Sequence, residues 1–310
     1  MAYHHTLIGF QRTLLADEAR TNAFAEAIRR TVKPDDVVLD LGSGTGVLAM
    51  LAARAGARRV FAIEEQHTAD LAHVLLRRNG CERVELLHAH SKDVELPERA
   101  TVLITETLGN FGFDESILGS VLDAKERLLT RDARIIPEGV AIALAPVHLP
   151  RQYDRDVAWW SEPRYGFDFS PARMFAANHV YGVEIGPGAL VAEPVIGDEI
   201  ALITVESTEV SLHASFIATR HDLVHGFAGW FHTTLVEGIT LTNEPPLVTP
   251  NWGHAFFPLE EPVIVTSGTP IEIELESNDG VQWFWRGRIG ERAFDGSSYF
   301  ASPPCRKSGS

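Results

Sequence analysis

Between residues 37 and 137, short apolar runs alternate with stretches whose apolar positions recur every three or four residues, the pattern of a parallel α/β sheet. Val37–Leu41, Arg59–Glu64, Val84–His88 and 102–105 read as strands. Val47–Ala55, 67–78 and 116–129 read as helices, the last with Ile117, Leu118, Val121, Leu122 and Leu128 on one stripe. Beyond Pro137 the pattern changes. Segments 142–146, 211–219, 223–232, 263–266, 271–276 and 281–286 are strand-length and divided by proline and glycine turns, mostly without room for a helical crossover. That predicts an antiparallel sheet or barrel. From about 151 to 180 the pattern is broken by Trp159, Trp160, Tyr165, Phe167 and Phe169. Such a segment either packs on a partner or joins the local core, and large apolar side chains on an excursion favour the partner. Residues 302–310 read as a frayed tail.

At roughly 150 residues per domain, 310 residues predict about two domains. An apolar share of 45% with 22% charged residues excludes a disordered or fibrous chain. The net charge of −15 argues against nucleic acid, because neutralising phosphates takes a cationic face. No apolar run approaches the roughly 20 residues of a membrane span, and the first residues, MAYHHTLIGF, lack the basic and apolar regions of a secretory signal. Cys81 and Cys305 are too far apart for a disulfide framework or a metal site. His213, His221, His225 and His232 lack the spacing of a closed zinc set, so no metal is predicted. A reducing cytoplasm is the expected setting.

Asp40-Leu41-Gly42-Ser43-Gly44-Thr45-Gly46 follows a strand and opens a helix. Glycines let the backbone bend sharply and bring amide groups to a ligand at a helix N-terminus. The spacing is G-x-G-x-G, not the G-x-G-x-x-G of dinucleotide sites, and an acid precedes the turn. Glu64 closes the second strand, where a carboxylate can take both hydroxyls of a ribose. An acid beside the turn suits an amine better than a phosphate. The set fits S-adenosylmethionine, and an oxidoreductase is the weaker reading.

Further on, Glu106 ends a strand and Glu115 lies beyond a loop broken by Gly109 and Gly112. Open α/β sheets bind ligands at the carboxyl ends of their strands, and this loop can turn both carboxylates into one cleft. Taken alone, Asp114 and Glu115 read equally well as acids at the start of the next helix.

With these residues on the page, the chain resembles the protein arginine methyltransferases over nearly its full length. The matching segments are LADEART (15–21), VVLDLGSGTGVLAMLAARAGARRV (37–60), ITETLGNFGFDESIL (104–118), WWSEPRYGFD (159–168) and NWGHAFFPLEEP (251–262). The resemblance implies a Rossmann-like S-adenosylmethionine domain over 1–137 with N-terminal helices. It implies a β-barrel substrate domain over 138–301, from which a helical arm near 151–180 docks on a second copy to give a homodimer. Glu106 and Glu115 match the family's paired glutamates, and Arg20 matches the residue that binds the cofactor carboxylate. Cofactor contacts are expected from Asp40, Gly42, Gly44, Gly46 and Glu64. Ser91 and Lys92 stand where the family places its adenine-binding glutamate. The family's threonine-histidine-tryptophan loop reads Pro250-Asn251-Trp252, so Asn251 replaces a titratable histidine while its usual partner, Asp17, is kept. His254, His4 and His5 are candidate replacements, and Leu14 stands where family members often carry a methionine. Asp17, Asn251 and Trp252 are therefore expected in the substrate pocket of a divergent member. The implied reaction is methyl transfer to a guanidino nitrogen of arginine in a protein, a peptide or the free amino acid. A small-molecule guanidine or amine methyltransferase, or a non-catalytic cofactor-binding dimer, are the other readings.

Overall fold

The computed structural model describes residues 7–298 apart from Pro187 and Val248. The frayed tail predicted at 302–310, and His4 and His5, lie outside the described residues. Two helices, α1 (Leu7–Ala16) and α2 (Glu18–Thr31), lead into β1 (Val37–Leu41), α3 (Val47–Ala55), β2 (Arg59–Glu64), α4 (Thr68–Arg78), β3 (Val84–His88), β4 (Ala100–Thr105), α5 (Ile117–Arg127) and β5 (Leu129–Ile136). The strands form one parallel sheet in the order β3-β2-β1-β4-β5. β1 is buried along its whole length, as a strand covered by helices on both faces must be. The order reverses direction between β1 and β4, and that switch point is where such a sheet opens a ligand crevice. β5 was not anticipated. The apolar stripe of α5 runs straight into it, and Thr130 to Asp132 break its alternation.

The rest is antiparallel. It comprises β6 (Gly139–Val147), α6 (Pro150–Asp156), α7 (Ala172–Ala177), β7 (Tyr181–Val183), β8 (Val195–Ile196), β9 (Ile200–Ala201), β10 (Val210–Ile217), β11 (Asp222–Val236), β12 (Ile239–Thr242), β13 (His254–Val265), β14 (Pro270–Ser277), β15 (Trp283–Ile289) and β16 (Arg292–Ser297). One sheet runs β7-β13-β11-β6-β8, with β12 on β11 and β9 on β6, and the other runs β10-β14-β15-β16. Phe227, Phe257, Trp283 and Trp285 fill the space between them as a barrel-like core. The same cluster continues through Phe111 and Phe113 to Leu39 and Phe61 of the parallel sheet, so the two halves meet across packed side chains.

β13 begins nine residues ahead of the strand expected at 263–266. Pro258 and Pro262 hide it, because proline withholds a ladder N–H and sits at edges or bulges. The register between β11 and β13 shifts at that point, from Val224 facing Val263 to Gly226 facing Pro258.

The segment near 151–180 combines both expectations. At its root Tyr153, Val157 and Ala177 pack against Trp230 and Phe256. At its tip Tyr165 is 94% exposed and Phe167 69%. Pro150 at the first position of α6 suits a helix start, since its missing N–H has no partner to lose there. Among the described residues no helix is long and apolar enough to cross a membrane.

Candidate active site

The carboxyl ends of β1, β2 and β4 converge on one cleft of about 390 Å³, open to solvent and bordered by α1 and by the loop that follows β4. The glycine turn after β1 folds back on β2, with Gly42 and Ser43 donating to the carbonyl of Ile63 at 3.0 and 2.9 Å. At Gly44 the chain takes φ +55°, and a Cβ there would sit 2.9 Å from Oε1 of Gln11. The positive φ favours glycine here, and a larger residue would also have to displace the end of the Gln11 side chain. Glu64 holds the turn from the side: the N–H of Gly44 donates to Oε2 at 2.7 Å and that of Gln66 to Oε1 at 2.8 Å. Each carboxylate oxygen keeps a further lone pair toward the cleft. Ser43, also in the lining, has a buried hydroxyl with no hydrogen-bond partner. A buried polar group of that kind calls for a ligand.

On the opposite wall the loop from Glu106 to Glu115 is wound tightly. Asp114 accepts from the N–H groups of Asn110 and Phe111 at 3.1 and 3.0 Å. Its carboxylate thus braces the loop and does not cap α5. Gly109 has φ +62°, and a Cβ there would lie 2.3 Å from Oδ1 of Asp114. Phe111 and Phe113 are buried, Phe111 edge-on to Phe257 and Trp283 at 5.3 and 5.0 Å. With both aromatics anchored in the core, Glu106 and Glu115 face the same cleft.

The cleft is electrostatically acidic. Among the described residues its charged lining consists of Glu64, Glu106, Asp114 and Glu115 against the single cation Arg20. Arg20 directs Nε (2.7 Å) and Nη2 to Oε2 of Glu106, both side chains being 6% exposed, and its guanidinium lies 5.9 Å from the ring centre of Phe24. Burial nevertheless raises the Glu106 carboxyl above its ordinary range, opposed by Arg20 and by the N–H of Leu108. Glu115 is pushed up to about 7, first by desolvation and then by repulsion from Glu106 and Asp114. The repulsion is the part that a bound cation would relieve. Two carboxylates forced together beside a cleft can hold a planar cation through charge-assisted hydrogen bonds.

Of the residues singled out from the sequence, Arg20, Gly42, Gly44, Glu64, Glu106, Glu115, Asn251 and Trp252 line the cleft. Five others do not. Asp40 is buried behind the turn, taking the N–H of Ala49 at 2.9 Å. Through Oδ2 it braces the start of α3, while its buried Oδ1 has no hydrogen-bond partner. Gly46 also stays outside the lining, as the residue from which α3 starts. Ser91 and Lys92 form a short 3-10 turn away from the cleft, Lys92 exposed and the carbonyl of Ser91 taken by Arg127. Asp17 caps α2 through the N–H of Arg20 at 3.0 Å, so it orients Arg20 instead of lining the pocket. His254, a candidate substitute for the missing histidine, is buried and bonded to the N–H of Ile185. Conversely, Phe10, Gln11, Leu14 and Leu15 of α1 line the cleft together with Thr107 and Asn110. The spacing of Phe10 and Leu14, one helical turn apart, is the signal that could have flagged α1 as a wall.

Residues 141–288 match the family model of the arginine methyltransferase oligomerization subdomain, and residues 19–139 that of ribosomal protein L11 methyltransferase (PrmA). The chain is 32% identical over 243 residues to the "Probable protein arginine N-methyltransferase 6" of Arabidopsis thaliana, covering 74% of this chain and 56% of that protein. It is 29% identical over 289 residues to protein arginine N-methyltransferase 6 of Xenopus laevis, covering 88% of this chain and 85% of that protein. Two solved structures share the fold. The Trypanosoma brucei PRMT1 enzyme-prozyme heterotetrameric complex with AdoHcy gives a TM-score of 0.83 at 22% identity, covering 93% of this chain and 97% of that one. Arabidopsis thaliana protein arginine methyltransferase 10 gives 0.77 at 24%, covering 94% and 99%. A parallel sheet with a glycine turn, joined to a barrel and carrying paired glutamates at the seam, is the architecture of a two-domain methyltransferase. Within that class, the chain is similar to the protein arginine methyltransferases, whose oligomerization subdomain its residues 141–288 match.

Proposed function

We propose that this protein is an S-adenosylmethionine-dependent N-methyltransferase that methylates a guanidino nitrogen of arginine in a protein or peptide. The observation that carries the reading is the convergence of Glu106 and Glu115 on the same cleft as the glycine turn and Glu64. The names of the relatives and the AdoHcy in the trypanosomal complex support it. Glu64 has lone pairs left for ribose hydroxyls, the turn around Gly44 admits close approach, and Arg20 offers a cation for a carboxylate. When bound, S-adenosylmethionine supplies a methyl group made electrophilic by its sulfonium.

A guanidinium is a poor nucleophile because its charge is delocalised and its pKa lies above about 12. Held between Glu106 and Glu115, its positive charge concentrates on the nitrogens that donate to them. The remaining nitrogen recovers lone-pair character and is aimed at the methyl. The carboxyl of Glu115, at about 7, has the affinity to take the proton that the methylated nitrogen sheds. Incubation with labelled S-adenosylmethionine and an arginine-containing peptide should give a methylated arginine by mass. Cofactor binding without transfer to any guanidino acceptor would reject the reading.

The same titration sets a pH dependence. A proton on Glu115 competes with the guanidinium, so acceptor affinity should tighten about tenfold per pH unit up to about 7 and level off above it. The sign for the free protein is opposite. A carboxyl raised from 4.5 to about 7 binds more proton folded than unfolded, so the unliganded fold loses stability as pH rises through that window. Calorimetric titration with arginine peptide at pH 6, 7 and 8 measures the first effect, and pH-independent affinity would contradict it.

Dimerisation through the arm belongs to the same proposal. It is supported by the match to an oligomerization subdomain and by the exposed Trp159, Tyr165 and Phe167. Sedimentation should show twice the 34.1 kDa of the chain. Phe167→Asp with Tyr165→Asp should return a single chain with its far-UV spectrum intact, because neither side chain is buried in the protomer. A cytoplasmic setting completes the proposal, supported by the unpaired thiol of Cys81.

A further inference from the structure

We propose that Asn243, with Asn110, is a positioning residue of the methyl-transfer site: it clasps the loop carrying Glu106 and Glu115 to the loop carrying Asn251 and Trp252. The inference rests on the function proposed above. Asn243 is fully buried in the turn after β12, outside the cleft lining, and its amide is completely used. Oδ1 accepts from the N–H of Phe231 on β11 at 2.8 Å. Nδ2 donates to the carbonyls of Asn110 at 2.8 Å and Gly253 at 2.5 Å. Asn110 closes the ring, its Oδ1 accepting from the N–H of Gly253 at 2.8 Å. Four bonds thus tie the loop that follows β4 to β11, to the turn after β12 and to the residue that precedes β13.

The position of the ring gives it a job. Asn110 stands four residues after Glu106 and five before Glu115, at the crest of their loop, and its own N–H is held by Asp114 at 3.1 Å. Gly253 directly follows the Asn251-Trp252 pair that lines the facing wall. A Cβ on Gly253 would lie 2.9 Å from the carbonyl of Val183, so glycine is what lets this loop approach. Trp252 is in turn seated edge-on to Phe231 at 5.0 Å. The ring therefore fixes the separation between the paired carboxylates and the wall against which the acceptor side chain lies. An error of about 1 Å in such a separation can cost a hundredfold in rate. The cofactor half, built on Glu64 and the glycine turn, shares no bond with the ring.

Asn110→Ala and Asn243→Ala should each lower kcat on an arginine peptide about tenfold or more and raise the peptide KM. Affinity for S-adenosylhomocysteine, measured by calorimetry, should stay within about twofold. Because both break one ring, the double variant should be little worse than the weaker single. Asn110→Asp, which keeps an acceptor for the N–H of Gly253, should recover most of the loss. Unchanged kcat and KM in folded Asn110→Ala, or full additivity in the double variant, would overturn the proposal. If Asn243→Ala does not fold, Asn110→Ala, half-buried and losing one bond, decides alone. If the wild-type protein methylates no guanidino acceptor, the functional reading fails separately. Amide hydrogen exchange then judges the clasp: faster exchange across 106–115 in Asn110→Ala supports it, and unchanged exchange refutes it.

Discussion

Glu115→Gln should lower turnover about 10² to 10³-fold, the range for removing one preorganised electrostatic partner of a transition state, while S-adenosylhomocysteine binds within about twofold of wild type. The substitution is nearly isosteric and keeps a carbonyl acceptor, but it removes the charge that concentrates the guanidinium cation on one side. Glu115 makes no ion pair with Arg20 and its residue surface is open to water, so the fold should be unharmed. The free protein should even gain stability at neutral pH, since a raised carboxyl is lost. Glu106→Gln is a less clean experiment. It leaves Arg20 buried without its carboxylate, and breaking one side of such a pair is strongly destabilising. Single-turnover kinetics with saturating cofactor and a peptide acceptor make the measurement. A Glu115→Gln enzyme with near-normal turnover would remove the paired-carboxylate mechanism.

The parallel half of the fold was legible because its signals are local. Val37–Leu41, Val47–Ala55, Arg59–Glu64 and Val84–His88 end where the sequence reading ends them, since a compact apolar run or an apolar stripe meets glycine or a charged residue at every boundary except that after His88. The antiparallel half was harder. β8, β9 and β12 have two to four residues, too short to show alternation, and they exist only because a longer strand offers its edge. In the site, the glutamates were readable through the family resemblance, since their glycine-broken loop alone reads equally well as the start of a helix. Asp40, expected at the cofactor, and Asp17, expected in the substrate pocket, stand outside the cleft lining for a reason intrinsic to carboxylates. The same side chain that binds a cation also caps a helix or braces a turn, and the choice is made by burial that no local pattern encodes. Asn243 shows the limit most clearly. It is one polar residue in a Thr-Asn-Glu turn, and its partners lie 10, 12 and 133 positions away.

Arg20→Leu should destabilise the protein by about 3 to 5 kcal/mol near pH 8, the cost of leaving a buried charge unpaired. The guanidinium of Arg20 contributes the largest influence holding the Glu106 carboxyl down against burial. Without it that carboxyl rises further, and the sign of the pH effect follows. A folded-state carboxyl raised above its unfolded value of 4.5 binds extra proton only in the native state, so stability falls as pH rises between the two values. The variant should therefore lose most above the folded value and regain much of its deficit as pH falls toward 4.5. In the wild-type protein Arg20 holds the Glu106 carboxyl lower, so less stability is gained as pH falls, and the two curves converge. Urea unfolding at pH 8 and pH 5.5 measures the difference. A deficit equal at both values would mean that Arg20 acts by packing on Phe24 and not by charge. The same variant separates the two duties assigned to this residue. If Arg20 also meets the cofactor carboxylate, S-adenosylhomocysteine affinity falls in Arg20→Leu at either pH, and adenosine, which has no carboxylate, binds as it does to the wild type.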